Sequence, residues 1–146
     1  MTDTAFILIT ALLIMILSLL IVHFIKRRKY QHLPVDEMDG HDFEYHCADL
    51  LTTDGFENVE VTRGSGDFGV DILAEKDGVT YAFQCKCYDK PIGVKAVQEI
   101  YAGRDFYNRM LGVVMTNQYY TRPAIELADK LKIILWDRDK LKEMER

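Results

Sequence analysis

The sequence predicts a mixed α/β fold: one mixed sheet with helices on its faces, in the order α-β-β-β-α-β-α-β plus a closing helix, behind a separate apolar N-terminal helix. Three observations carry this reading. Asp77-Gly78 sits between two strand-like runs, the signature of a two-residue type I′ hairpin. From residue 94 onward, segments with helical apolar spacing alternate with short continuous apolar runs, as in sheets covered on both faces. Residues 5–25 form a run of 21 without a formal charge, set apart from all that follows.

That first run, as a helix rising about 1.5 Å per residue, covers roughly 30 Å, the thickness of a bilayer core. Lys26, Arg27, Arg28 and Lys29 follow at once, and cations at one end of a span favour the cytoplasmic side. A cleaved signal peptide instead has cations before a shorter apolar core and ends in a small-residue cleavage site. The expectation is an uncleaved transmembrane anchor with its basic flank at residues 1–29, in a cell inner membrane. Residues 30–37, with Pro34, read as a linker, and residues 38–146 as a domain on the cytoplasmic side. The span holds no Gly-x-x-x-Gly pair to suggest tight helix packing.

Within the domain, Asp39 is suited to cap a helix on which Phe43, Cys47, Leu50 and Leu51 recur at helical spacing, and Gly55 is suited to end it. Val59 and Val61 alternate with polar residues as a short first strand. The glycine-rich segment 64–69 leads into a second strand at 70–76, and the third returns over 79–86. A helix over about 94–107 follows, with Val94, Val97, Ile100 and Tyr101 on one side. Residues 111–115 read as a buried strand, Thr121 caps a helix that tolerates Pro123 in its first turn, residues 133–136 form a last strand, and Asp137 opens a charged terminal helix.

Taking Lys26, Arg27, Arg28, Lys29, Asp3 and Asp36 out of the chain totals of 18 basic and 23 acidic residues leaves residues 37–146 with 14 and 21, a net of −7. Such a balance does not favour non-specific nucleic-acid binding, which depends on neutralising phosphates. A local basic strip can coexist with it, and Arg63, Lys86, Lys90, Lys95, Arg104 and Arg109 fall in the central sequence. Three cysteines, Cys47, Cys85 and Cys87, follow no disulfide-framework spacing, which suits a reducing compartment. Cys85-x-Cys87 is too narrow for the usual pairing of structural zinc ligands.

The hairpin brings polar groups together. With a two-residue turn, residues whose numbers sum to 155 face each other, so Asp71 opposes Gln84, and Lys86 shares that face two residues on. Val70, Ile72, Ala74, Tyr81 and Phe83 fall on the other face. A hard divalent cation such as Mg²⁺ or Mn²⁺ prefers oxygen ligands, which Asp71, the Gln84 side chain and the Cys85 carbonyl can supply. Lys86 could then stabilise an attacking hydroxide or developing phosphoryl charge, and Glu44, at the edge of the first helix's buried face, could point to the same cluster. The same residues also describe the solvated face of a half-covered sheet.

Phe43-Glu44, Gly64-Ser65-Gly66-Asp67-x-Gly69-Val70-Asp71 and Gln84-Cys85-Lys86 together resemble the motifs of the Mrr-type restriction endonuclease domain, within the PD-(D/E)xK nuclease superfamily. The resemblance covers about residues 38–136. It implies a restriction-endonuclease-like core and Mg²⁺-dependent cleavage of DNA phosphodiester bonds, with restriction of foreign DNA as a setting. It places Asp71 and Gln84 at the metal, Lys86 in catalysis and Glu44 as an auxiliary carboxylate. Gln98, on the helix after the sheet, reads either as a further family-like site residue or as a surface glutamine. The wider superfamily usually has a carboxylate at the position of Gln84, whereas the Mrr-type branch resembles this chain in having glutamine. The expected partners are DNA and the membrane, with a homodimer as a further option. The alternative function is a catalytically weak or inactive nucleic-acid-binding or scaffold domain of the same fold.

Overall fold

The computed structural model describes residues 3–30, 34–62, 64, 66 and 68–146, with the backbone alone at 3–4 and 22–30. The chain divides into two compact units, Met1–Leu33 and Pro34–Arg146. The first is a single helix, α1 (Asp3–Tyr30). Its described side chains, at residues 5–21, are apolar apart from Thr10 and Ser18, which both turn back to carbonyls one turn earlier. Among the described residues no helix is long and apolar enough to cross a membrane. The expected transmembrane anchor, the membrane as a partner, and the single-pass inner-membrane location with a cytoplasmic C-terminal domain are corrected accordingly. The cationic side chains of Lys26, Arg27, Arg28 and Lys29 lie outside the described residues.

Of the expected linker, residues 31–33 lie outside the described residues, and Val35–Glu37 form a 3-10 turn in the second unit. Asp36 in that turn accepts both Arg138 guanidinium nitrogens and Asn117 Nδ2, contacts that reach across about a hundred residues of sequence.

The second unit continues with α2 (Gly40–Thr53), β1 (Glu57–Val61), β2 (Ile72–Lys76), β3 (Val79–Lys86), α3 (Val94–Phe106), β4 (Leu111–Thr116), α4 (Arg122–Leu131), β5 (Ile134–Trp136) and α5 (Arg138–Met144). The expected order of elements is therefore present. Local chemistry sets the boundaries. Asp39 accepts from Asp42 N, Thr121 from Ala124 N, and Asp137 from Asp139 N and Lys140 N, each capping its helix. Asp77 and Gly78 both take positive φ, as a type I′ turn demands.

The five strands lie in sequence order in one mixed sheet. β1, β2 and β3 are antiparallel, whereas β3, β4 and β5 are parallel. The two parallel steps need long crossovers, which α3 and α4 provide. Alternation along β3 then sorts its side chains between two layers. Ala82 joins the core beneath α3 and α4, with Val70, Val97, Ile100, Val114 and Ala128. Tyr81 and Phe83 turn the other way, to Phe56 and Trp136, and Cys85 meets Cys47 of α2.

Two details depart from the periodicity. Val70 packs on the α3 side instead of with Ile72, because regular pairing starts only at Ile72 and the backbone before it runs through a turn at Gly69. On α3, Val94 and Tyr101 are exposed, and Ala96, Val97, Ile100 and Gly103 are buried instead.

Candidate active site

The β2–β3 ladder runs from Lys76↔Val79 to Ile72↔Phe83, the register that the turn predicts. Asp71 lies one residue beyond the ladder's end, where its backbone is pinned on both sides. Its N–H donates to Phe83 O (2.8 Å), and its own carbonyl accepts from Thr62 N (2.9 Å). Its carboxylate Oδ2 accepts from the backbone N–H of Cys85 at 2.6 Å, directly after Gln84 in sequence. Asp71 and β3 are thus joined by side chain as well as by backbone.

Gln84 is only 1% exposed, so the reading of this face as solvated does not hold. α3 covers it. Gln84 Nε2 donates to Glu99 Oε2 at 2.8 Å, and the same oxygen lies 3.3 Å from Lys86 Nζ. Lys95 Nζ approaches the other Glu99 oxygen at 3.6 Å. Burial pushes the Glu99 carboxyl up, but the Gln84 hydrogen bond and the Lys86 and Lys95 ammonium groups outweigh it and hold the group below the usual glutamate range. Lys86, Tyr88, Gly93, Lys95 and Glu99 line an open cavity of about 100 Å³.

Asp71, Gln84, Cys85 and Lys86 are thus brought to one end of β3. Glu44, on α2, is engaged by His41 Nδ1 at 3.2 Å. It is near enough to Cys85 to act on its thiol, as Asp71 is. Burial first, then the Cys47 hydrogen bond and nearby charges, push the Cys85 thiol well up. The thiol is turned to Cys47 of α2, so the Cys85 group on offer beside Asp71 is its carbonyl. Of the six central cations, Arg104 pairs with Asp105 and lies over the Tyr101 ring, and Arg109 lies 3.7 Å from Glu75. Lys90 and Lys95 are exposed, while Arg63, together with Ser65 and Asp67 of the glycine-rich motif, lies outside the described residues.

The residue that sequence reasoning missed is Glu99. Its neighbour Gln98 points to the surface. The available signal was the phase of α3: Ala96, Ile100 and Gly103 mark the buried face, and Glu99 falls on that side while Gln98 falls opposite.

The glycine-rich segment is laid against α3 by two close approaches. A Cβ on Gly69 would stand 2.9 Å from Glu99 Cβ and 3.0 Å from Gln84 Nε2. A Cβ on Gly103 would stand 2.5 Å from Val70 Cγ2 and 2.6 Å from the Phe68 carbonyl oxygen.

No group of three or more His, Cys, Asp or Glu suited to a metal ion occurs among the described residues. The donor set gathered at the end of β3 is of another kind, made of the Asp71 carboxylate and the amide and carbonyl oxygens of Gln84 and Cys85. Gln84 Oε1 is a buried acceptor with no hydrogen-bond partner among the described residues. An oxygen left unpaired in that position fits a hard divalent cation that keeps several of its own waters.

Residues 35–145 match the family model Mrr_cat, described as restriction endonuclease. Among solved structures, the fold is similar to that of the DNA modification-dependent restriction endonuclease AspBHI, at 21% identity and a TM-score of 0.58, covering 82% of this chain and 32% of that one. It is similar to AF1548, a protein of unknown function, at 23% identity and a TM-score of 0.53, covering 73% and 64%. It is also similar to the MspJI restriction endonuclease in complex with a 27-mer oligonucleotide, at 22% identity and a TM-score of 0.52, covering 71% and 27%. The matched region is thus less than two thirds of each of these chains. No curated protein matches the chain.

Proposed function

We propose that this chain, which belongs to the restriction endonuclease family matched over residues 35–145, hydrolyses phosphodiester bonds of DNA with a divalent cation, Mg²⁺ or Mn²⁺, at the end of β3. The observation that carries the metal-dependent reading is the buried, unpartnered Gln84 Oε1 on the residue preceding the Cys85 N–H that Asp71 grips. DNA as the substrate is supported by the family and by the fold shared with MspJI, whose structure holds an oligonucleotide. Residues 38–146 would form the catalytic domain, and the match covers 32% of AspBHI and 27% of MspJI.

In this reading Asp71, Gln84 Oε1 and the Cys85 carbonyl would hold the cation. When bound, the cation would lower the pKa of a coordinated water and offset charge on the phosphate. Lys86 lines the cavity, and its ammonium would stabilise charge developing on the scissile phosphate. Glu44 adds negative charge from the α2 side. Glutamine contributes oxygen without charge, so the anionic character of the site would come from the carboxylates around it.

The purified chain with Mg²⁺ or Mn²⁺ is expected to nick or linearise plasmid DNA. Asp71→Asn and Lys86→Ala should each slow this by about 10²-fold or more. Equal cleavage by the wild type and both variants would overturn the proposal. A second reading, a weak or inactive nucleic-acid-binding domain, draws on the absence of a three-residue His/Cys/Asp/Glu cluster among the described residues. It predicts metal-independent DNA binding and no change in thermal stability on adding Mg²⁺.

A further inference from the structure

We propose that Glu99 is a positioning residue: it fixes the Gln84 side-chain amide so that its oxygen faces the metal-binding site, and it supplies beside Gln84 the charge that a glutamine cannot carry. The inference rests on the cleavage reading above for the identity of the site, and on hydrogen-bond chemistry for the orientation.

An amide side chain has one accepting end and one donating end, which differ little in shape. Which end points where is decided by the neighbours. An ionised carboxylate can only accept, so the end of Gln84 that lies 2.8 Å from Glu99 Oε2 must be the NH₂. The oxygen is therefore turned the other way, where it stays buried without a partner. Flipping the amide would set oxygen against oxygen at hydrogen-bond distance. Glu99 thus removes the flipped state and leaves one buried acceptor available.

The surroundings keep the carboxylate in place. Lys86 and Lys95 approach its two oxygens, and the bare Cα of Gly69 lets the loop close over Nε2 without a side chain intruding. The arrangement also gives a reason for glutamine at position 84. A carboxylate there would meet Glu99 at 2.8 Å, and two like charges so close cannot both ionise freely. The negative charge has a place in this cluster, but on α3 instead of on β3.

The test exchanges the two residues in the full chain. Glu99→Gln lets the amide at 84 turn either way, and Mn²⁺ binding measured by calorimetry is expected to weaken at least tenfold. Gln84→Glu alone is expected to lower the melting temperature without metal, through repulsion. The double variant Gln84→Glu/Glu99→Gln restores one donor against one acceptor with the same net charge. It should recover the metal-free melting temperature and bring Mn²⁺ affinity to within a few-fold of wild type.

In the wild type the Gln84 side-chain NH₂ should give a slowly exchanging NMR signal, retained in Glu99→Asp and lost in Glu99→Gln. Wild-type Mn²⁺ affinity and an unchanged NH₂ signal in Glu99→Gln would overturn the proposal, as would a double variant no better than its worse parent. If the wild type neither binds Mn²⁺ nor cleaves DNA while the metal-free melting temperatures still show rescue, the cleavage reading fails and the Gln84–Glu99 orientation stands. If DNA is cleaved but no rescue appears, the reverse holds.

Discussion

Gly69 lies so close over Gln84 that a single added methyl would stand 3.0 Å from its amide nitrogen. The loop entering Asp71 and the side chain beneath it share one small space. Because Gly69 also has a φ of +77°, Gly69→Ala adds backbone strain of about 1 kcal/mol to a contact that forces its neighbours apart. The expected loss of stability is about 2–4 kcal/mol, read from the urea midpoint, with reduced cleavage. An alanine variant with wild-type stability would show that the loop can lift away at little cost.

Gly103→Ala should reverse a familiar sign. In a helix interior alanine ordinarily gains about 1 kcal/mol over glycine. On α3 the new methyl would meet the Phe68 carbonyl oxygen at 2.6 Å, and backbone yields less readily than a side-chain tip. A net loss of about 1–3 kcal/mol is expected in thermal melts. A stabilised variant would sink the idea that the Phe68 backbone is clamped on α3.

Thr116 supports Lys86 from the neighbouring strand. Its fully buried hydroxyl donates to Lys86 O at 2.7 Å and accepts from Gln118 N at 3.1 Å. Thr116→Val keeps the shape and removes both bonds, at an expected cost of about 1–3 kcal/mol. Cleavage by this variant should fall more than its loss of folded protein explains, because the end of β3 that bears Lys86 loses a tie. A rate proportional to the folded fraction alone would argue against that link.

The turn at Val35–Glu37 should respond to acid. The Arg138 hydrogen bonds, and then that of Asn117, hold the Asp36 carboxyl below the usual aspartate range. A depressed folded-state pKa contributes stability that is present above the unfolded value, near pH 4, and is lost as pH falls through the lower folded value. Asp36 is largely solvent-exposed, so the effect is expected to stay below about 1 kcal/mol. Comparing melts of wild type and Asp36→Asn from pH 6 down to pH 2 should show the difference shrinking toward the acid end. A difference that grows there would contradict the assignment.

Features that depend on neighbours in sequence were legible. Asp77-Gly78 sets the hairpin register, and Asp39, Thr121 and Asp137 mark helix starts, because turns and caps are short-range chemistry. Features set by packing between distant elements were less so. The pattern on α3 favours Val94 and Tyr101 as buried, whereas the small residues Ala96 and Gly103 are buried instead, Gly103 against Phe68 and Val70. That shift in phase separates the surface residue Gln98 from Glu99. The burial of Gln84 likewise follows from α3 folding back over β3, which no pattern within the hairpin encodes. For the N-terminal run, composition suggests a span, whereas among the described residues no helix is long and apolar enough to cross a membrane.

β3 holds Gln84 and Lys86 between two kinds of neighbour: β2, joined by a two-residue turn, and β4, reached only after α3. Pairing through a tight turn costs little chain entropy, whereas a parallel partner must wait for its crossover. Pulse-labelled hydrogen exchange during refolding is expected to protect β2–β3 amides before those of β4, and simultaneous protection would count against this order. A chain emerging from the ribosome would then present the hairpin before the helix that orients its glutamine. Under the proposed cleavage function, that order would leave the site incomplete until α3 has arrived.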